Sequence, residues 1–195
     1  MFRFPALQGL PARARLSALT AAIAAVVATL CLGGTAGARN NPGCPGESSP
    51  PSELSVFGAR TALFCVINQQ RAANGLAALS PNRSLGLAAE HHSRAMDARN
   101  FFGHEPDGTP ASRARKKGYM RGASWWMVGE TLGWGRGWRG TPDQVVAEMM
   151  ASPSHRSVIL NGSFRDLGVG VAMGKPVPER GGNSAIYTVE FGARR

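Results

Sequence analysis

Pro153 restricts the fold of this chain more than any other residue. It follows an apolar pattern of helical spacing, Val145, Val146, Met149 and Met150. A proline cannot continue a helix interior, and it biases the residue before it, Ser152, out of helical geometry. The stretch Ser152-Pro153-Ser154-His155-Arg156-Ser157 must therefore start a new short turn, which Ser154 is placed to cap. The run Val158-Ile159-Leu160 then has to return to a core, so His155 is expected to point away from it. An imidazole pinned at such a break is the first candidate for a site.

The elements around this break follow from periodicity. A first helix is expected over 55–74, with Leu63, Val66 and Ile67 on one face and Asn74-Gly75 as the stop. A loop over 76–81 leads to a second helix over 82–99. Its stripe of Leu85, Ala88, Ala89, His92, Ala95 and Met96 makes His92 a hydrogen-bonded core histidine and leaves His91 solvated. Thr109-Pro110 opens a short third helix that Gly118 closes. Its Arg113, Arg115, Lys116 and Lys117 form a basic run without interleaved aromatics, which reads as a solvated face and not as a nucleic-acid patch. A strand is expected over 125–132, then a glycine-rich loop over 133–140. That loop carries Trp134, Arg136, Trp138 and Arg139, which either grip a ligand or cover a core edge. Thr141-Pro142-Asp143-Gln144 resembles a capping box at the start of the fourth helix. Leu167, Val169, Val171 and Met173 alternate, as do Tyr187, Val189 and Phe191, so two strands close the chain. Helices come first and strands collect late. The expectation is an α+β fold with an antiparallel sheet.

The beginning of the chain has a different composition. Arg3, Arg13 and Arg15 precede an apolar run over 16–32, and Ala36-Gly37-Ala38 offers a small-residue cleavage site. This is the layout of a secretory signal peptide over 1–38, with an uncleaved membrane anchor as the alternative. A Pro/Gly/Ser-rich linker over 39–54 and one domain over 55–195 complete the organisation. The chain is expected to be secreted and monomeric. Cleavage would remove Cys31 and leave Cys44 and Cys65, an even count consistent with one disulfide outside the cytosol. The competing reading, Cys65 as a catalytic thiol, is weaker because Leu63-Phe64-Cys65-Val66-Ile67 is apolar and raises a thiol's pKa. The formal net charge is +10, almost all from arginine. It favours an anionic cell-wall or lipid surface as partner, without naming one.

Four motifs occur together in a recognisable order. They are Phe101-Phe102-Gly103-His104, Gly129-Glu130-Thr131, the stretch from Ser152 through Asn161, and Gly168-Val169-Gly170-Val171. With Asn68-x-x-Arg71, Gly75-Leu76 and Leu79, they make the chain resemble the CAP superfamily of cysteine-rich secretory proteins, antigen five and pathogenesis-related proteins. It is most similar to the bacterial SCP-like extracellular domains, over about residues 61–192. The resemblance implies an α-β-α sandwich with a central antiparallel sheet and a surface cleft. In eukaryotic members a His, Glu, Glu, His tetrad lines that cleft. His104, Glu130 and His155 match three of the four. The second glutamate has no clear counterpart: Met150-Ala151-Ser152 stands in its place, and Glu148 falls about a turn early. Thr131 replaces the usual asparagine.

Two imidazoles and a carboxylate are suitable zinc ligands, so His104, Glu130 and His155 form a candidate site for a divalent metal. The alternative is a hydrogen-bonded cluster that braces the cleft. No nucleophile stands out, since Gly162-Ser163-Phe164 lacks the G-x-S-x-G turn. The expected function is a non-enzymatic binding module. The competing expectation is a metal-dependent hydrolase acting on peptide or cell-wall polymer.

Overall fold

The computed structural model describes residues 43–177 and 182–195; the signal-peptide expectation lies outside them. The helices are α1 (Val56–Ala73), α2 (Arg83–Arg99), α3 (Pro110–Lys116), α4 (Pro142–Ala151) and α5 (Pro153–Ile159). The strands are β1 (Ser80–Pro81), β2 (Trp126–Arg136), β3 (Asp166–Ala172) and β4 (Ser184–Arg194), in the sheet order β1-β3-β4-β2. The long strands pair antiparallel, as expected. The two-residue β1 adds a parallel pairing to β3 that no sequence pattern signals.

Strand alternation separates the two layers. On one face of the sheet Leu167, Val169, Val171, Tyr187, Val189 and Phe191 pack with Leu63, Val66 and Ile67 of α1 and Val145 and Met149 of α4. On the other face lies α2. A Cβ on Gly168 would come 2.2 Å from the Leu85 carbonyl carbon, and one on Gly170 would come 2.1 Å from that of Ala89. The Gly168-Val169-Gly170-Val171 motif is thus a strand with one bare side, against which a helix backbone lies directly.

Local chemistry sets the helix ends. Ser55 accepts from Gly58 N at the start of α1, and Asn82 accepts from Ser84 N and Leu85 N at the start of α2. Asn100 ends α2 in the left-handed region, φ 53°. Thr109 caps α3 through Ser112 N. Two expected caps differ. At α4 the side chain that caps Gln144 N is Asp143, while Thr141 Oγ1 donates to the Trp138 carbonyl, so no capping box forms. At α5 the residue before the helix is Ser152, with Pro153 at the first helical position. Ser154 lies inside the helix, its hydroxyl 3.1 Å from that of Ser152.

Two expected loops are ordered structure. The glycine-rich segment continues β2 to Arg136 and then turns through a short 3-10 helix, Gly137–Gly140. Its glycines reflect packing, since a Cβ on Gly133 would come 2.6 Å from Val145 Cγ1. The described part of the linker folds onto the domain. Cys44 is buried and disulfide-bonded to Cys65, with Cα atoms 5.7 Å apart, which rules out the free-thiol reading of Cys65. Ser48 Oγ reaches Asp143 Oδ2 at 2.8 Å.

The Asn68-x-x-Arg71 motif braces the framework. Asn68 exchanges two hydrogen bonds with the Leu79 backbone. Arg71 is 1 % exposed and donates to the carbonyls of Ala77, Ile159 and Asn161, which ties the end of α1 to the end of α5. Among the described residues, no helix is long and apolar enough to cross a membrane.

Candidate functional site

The outer edge of β2 lies between the two helical layers, and the candidate residues gather along it. His104 comes from the turn after α2, Glu130 from the middle of β2, and His155 from the first turn of α5. Glycine brings α5 close to the strand, because a Cβ on Gly129 would come 2.7 Å from Phe164 Cζ and 3.2 Å from Val158 Cγ1. His104 Nδ1 lies 2.7 Å from Glu130 Oε1. Glu130 Oε2 accepts from Arg113 Nη2. Both carboxylate oxygens therefore have partners.

Arg113 is the site residue that sequence reasoning missed. Read there as part of a solvated basic run, it is 1 % exposed and forms the centre of the cluster. Its Nη1 donates to the His104 carbonyl at 2.8 Å, to Asp107 Oδ1 at 2.9 Å and to the Gly108 carbonyl. One guanidinium thus holds the His104–Gly108 turn and the Glu130 carboxylate together. A buried charge persists only where it is paired and hydrogen-bonded in this way. Its neighbours in sequence, Arg115 and Lys116, carry no mark that distinguishes it; only the acids folded against it do.

A second buried acid lies behind Glu130. Glu190 on β4 is its direct cross-strand partner and is fully buried, with Arg113 Nη2 at 3.7 Å. Neither Glu190 oxygen has a well-aligned hydrogen-bond partner. Burial, followed by the nearby Glu130 charge, pushes the Glu190 carboxyl well above the usual carboxylate range. His92 is in the core, as the helical stripe indicates. Its Nδ1 is 2.7 Å from Asp107 Oδ1 and its Nε2 is 3.9 Å from Glu130 Oε1. The Asp107 contact is of hydrogen-bond length and the Glu130 contact is beyond it, so His92 is a core histidine held by Asp107. Desolvation lowers its pKa despite these acids. His91 is half exposed, with Asp107 Oδ2 at 3.8 Å.

The two candidate histidines are perturbed in opposite directions. The Glu130 hydrogen bond raises the pKa of His104. Burial, and then the charge of His104, lowers that of His155. His155 makes no hydrogen bond among the described residues. It faces a cleft of about 290 Å³ lined by Phe102, Trp134, Val145, Glu148 and Ser152, a lining that includes neither His104 nor Glu130. Glu148, about a turn early for the missing glutamate, and Ser152, from the segment that stands in its place, both line this wall. Trp134 belongs to the cleft, whereas Trp138 is 64 % exposed and stacks under Arg139. A larger apolar groove of about 610 Å³ lies at the β3 edge between α1 and α2 and contains none of these groups. The Arg60–Glu90 ion pair, at 3.2 Å, joins its two walls.

The three-residue metal set fits this arrangement poorly. Glu130 has no free oxygen to offer, and no three His, Cys, Asp or Glu side chains among the described residues converge as a metal site. Glu130 instead occupies the outer position, orienting His104 through Nδ1 and leaving Nε2 open.

An α-β-α sandwich with a histidine cleft at its sheet edge defines a class. The chain belongs to the Cysteine-rich secretory protein family, CAP, whose sequence pattern matches residues 64–191. The uncharacterized protein YkwD of Bacillus subtilis (strain 168) is 30 % identical over 125 residues, covering 63 % of this chain and 45 % of the relative. The chain thus spans less than half the length of that protein. Among solved structures, an outer surface protein from Borrelia burgdorferi shares the fold with a TM-score of 0.60 and 22 % identity, over 73 % of this chain and 97 % of that one. An extracellular protein containing a SCP domain from Bacillus anthracis str. Ames matches with a TM-score of 0.51 and 25 % identity, over 71 % and 43 % of the two chains.

Proposed function

We propose that this is a secreted CAP-domain binding module whose cleft takes a small ligand or a weakly held divalent ion between His104 and His155. The observation that carries the reading is the division of roles around Glu130. Its carboxylate holds His104 by Nδ1, Arg113 holds the carboxylate, and Nε2 of His104 and the whole His155 ring remain free for a ligand. An imidazole oriented by a carboxylate in this way is a better Lewis base at its other nitrogen. Two imidazoles without a third protein ligand would hold an ion mostly through water, so zinc binding is expected to be weak and pH-dependent. No hydroxyl or thiol among the described residues hydrogen-bonds either cleft imidazole, which favours binding over nucleophilic turnover. Secretion is supported by the leader composition and by relatives named as extracellular and outer-surface proteins.

Zinc titration calorimetry on the native protein, His104→Ala and His155→Ala tests the ion part. Binding heat should fall with either substitution. Equal heats in all three would remove the two histidines from ion binding and leave a cleft for an organic ligand.

A further inference from the structure

The end of the sheet farthest from the cleft gathers charge and aromatic surface that the binding reading does not use. No acid occurs between Asp107 and Glu130, and Arg113 is the only buried member of the basic set in that interval. Arg115, Lys116, Lys117 and Arg121 are exposed at the end of α3 and in the turns after it. β4 brings exposed Arg194 and Arg195 to the same place, because Arg194 pairs with Trp126 in the ladder and Arg195 exchanges backbone hydrogen bonds with Trp125. The nearby acid in the ladder, Asp166, accepts from the Tyr119 hydroxyl at 2.7 Å.

Two tryptophans stand within this basic corner. Trp125 is 42 % exposed and Trp126 is 37 % exposed. Trp126 opens β2 and Trp125 is the residue just before it, so the pair stands at the sheet end. Each lies under a guanidinium, with Arg195 Cζ 4.9 Å from the Trp125 ring and Arg115 Cζ 5.7 Å from the Trp126 ring. The basic run therefore does have aromatic partners, brought to it from another strand.

We propose that this corner docks the protein on an anionic phospholipid surface. Indoles favour the headgroup level of a bilayer, and a juxtaposed cluster of Lys and Arg is attracted to anionic lipid. A purely polyanionic partner would need the cations alone. The exposed tryptophan pair makes a membrane the better fit, since it adds apolar surface at the charged edge. Along β2, Trp126 and Trp134 are about 26 Å apart at ordinary strand rise, so a docked molecule keeps its cleft open to solution.

The test is co-sedimentation of the full secreted protein with vesicles of phosphatidylcholine, alone or with 30 mol% phosphatidylglycerol, together with quenching by brominated phosphatidylglycerol. Binding to the anionic vesicles is expected, with quenching of indole emission and little binding to phosphatidylcholine. Arg115→Gln/Arg195→Gln should weaken it about 25-fold, at about fivefold per cation. Trp125→Ser/Trp126→Ser should abolish the quenching and weaken binding at unchanged net charge. Quenching of the unsubstituted protein keeps the test decisive if the tryptophan variant does not fold. Binding to anionic vesicles without quenching, or equal binding to both vesicle types, would overturn the proposal. So would binding to polyphosphate or single-stranded DNA that is tighter than to vesicles and indifferent to the tryptophans.

Discussion

Glu130 and Glu190 stand directly opposite each other on β2 and β4, on the face covered by α2 and α3, with the Arg113 guanidinium beside both. Like charges placed so closely in a dry site cannot both ionise at low cost. Arg113 pairs directly with the Glu130 carboxylate that touches His104, while burial and the Glu130 charge push the fully buried Glu190 carboxyl well above the usual carboxylate range.

Glu190→Gln should therefore stabilise the protein at higher pH. The folded-state pKa of Glu190 is raised, so the native state retains a proton that the unfolded chain releases above about pH 4.5. Its contribution to stability falls as pH rises from there toward the folded value. Urea denaturation at pH 8 should show the variant more stable by on the order of 1 kcal/mol, with the gain vanishing below pH 4.5. A gain independent of pH would mean that Glu190 is ionised in the fold.

Removing Arg113 should be far more damaging than removing an exposed arginine of the same run. Arg113→Met leaves Glu130 and Asp107 buried without their cation, at a cost of about 3–5 kcal/mol. Arg115→Met, on an exposed side chain, should cost less than about 0.5 kcal/mol. Equal denaturation midpoints for the two variants would contradict the buried network.

The cleft histidines should titrate in separate ranges. Imidazole NMR signals are expected to place His104 above 6.5 and His155 below it. Glu130→Gln should bring His104 down, since the hydrogen bond to Glu130 is the main cause of its rise. Because the folded value of His104 is raised, its stabilisation is fully present below pH 6.5 and is lost as pH rises through that folded value. Unchanged His104 titration in Glu130→Gln would break the assignment.

Gly170→Ala should be one of the most disruptive single-methyl changes available. Its Cβ would lie 2.1 Å from the Ala89 carbonyl carbon and 2.2 Å from the Glu90 nitrogen, both backbone atoms that move only if α2 moves as a whole. A loss of about 3 kcal/mol is expected by thermal or urea unfolding. By contrast, Gly86→Ala meets nothing within 4 Å, so it should stabilise α2 by up to about 1 kcal/mol.

The Cys44–Cys65 disulfide closes a sequence separation of 21 residues and anchors the N-terminal arm beside α1. Cys44→Ala/Cys65→Ala should lower stability by about 2–4 kcal/mol. The His104 and His155 titrations should be unaffected, because no cleft residue belongs to that arm. A shift in either imidazole signal would show that the arm supports the cleft.

Helices α1, α2 and α3 are legible from the chain because their ends are decided by local chemistry: Ser55, Asn82 and Thr109 as caps, Pro110 at a first position, Gly118 beyond an end. The alternation of β3 and β4 is local too, and the motif order marks His104, Glu130 and His155. The full length of β2 is not legible. Its glycines imitate a loop, and their reason, the close approach of α4 and the Arg139 carbonyl, comes from residues elsewhere in the chain. Arg113 is hidden for the same cause. Its burial, the raised pKa of Glu190, and the joining of Trp125 and Trp126 to the basic residues of α3 and β4 are all set by which strands and helices lie side by side. Caps and periodicity act over a few residues and can be read in order. The charge of a carboxylate or the company of an arginine depends on the dielectric and the partners that folding brings to it.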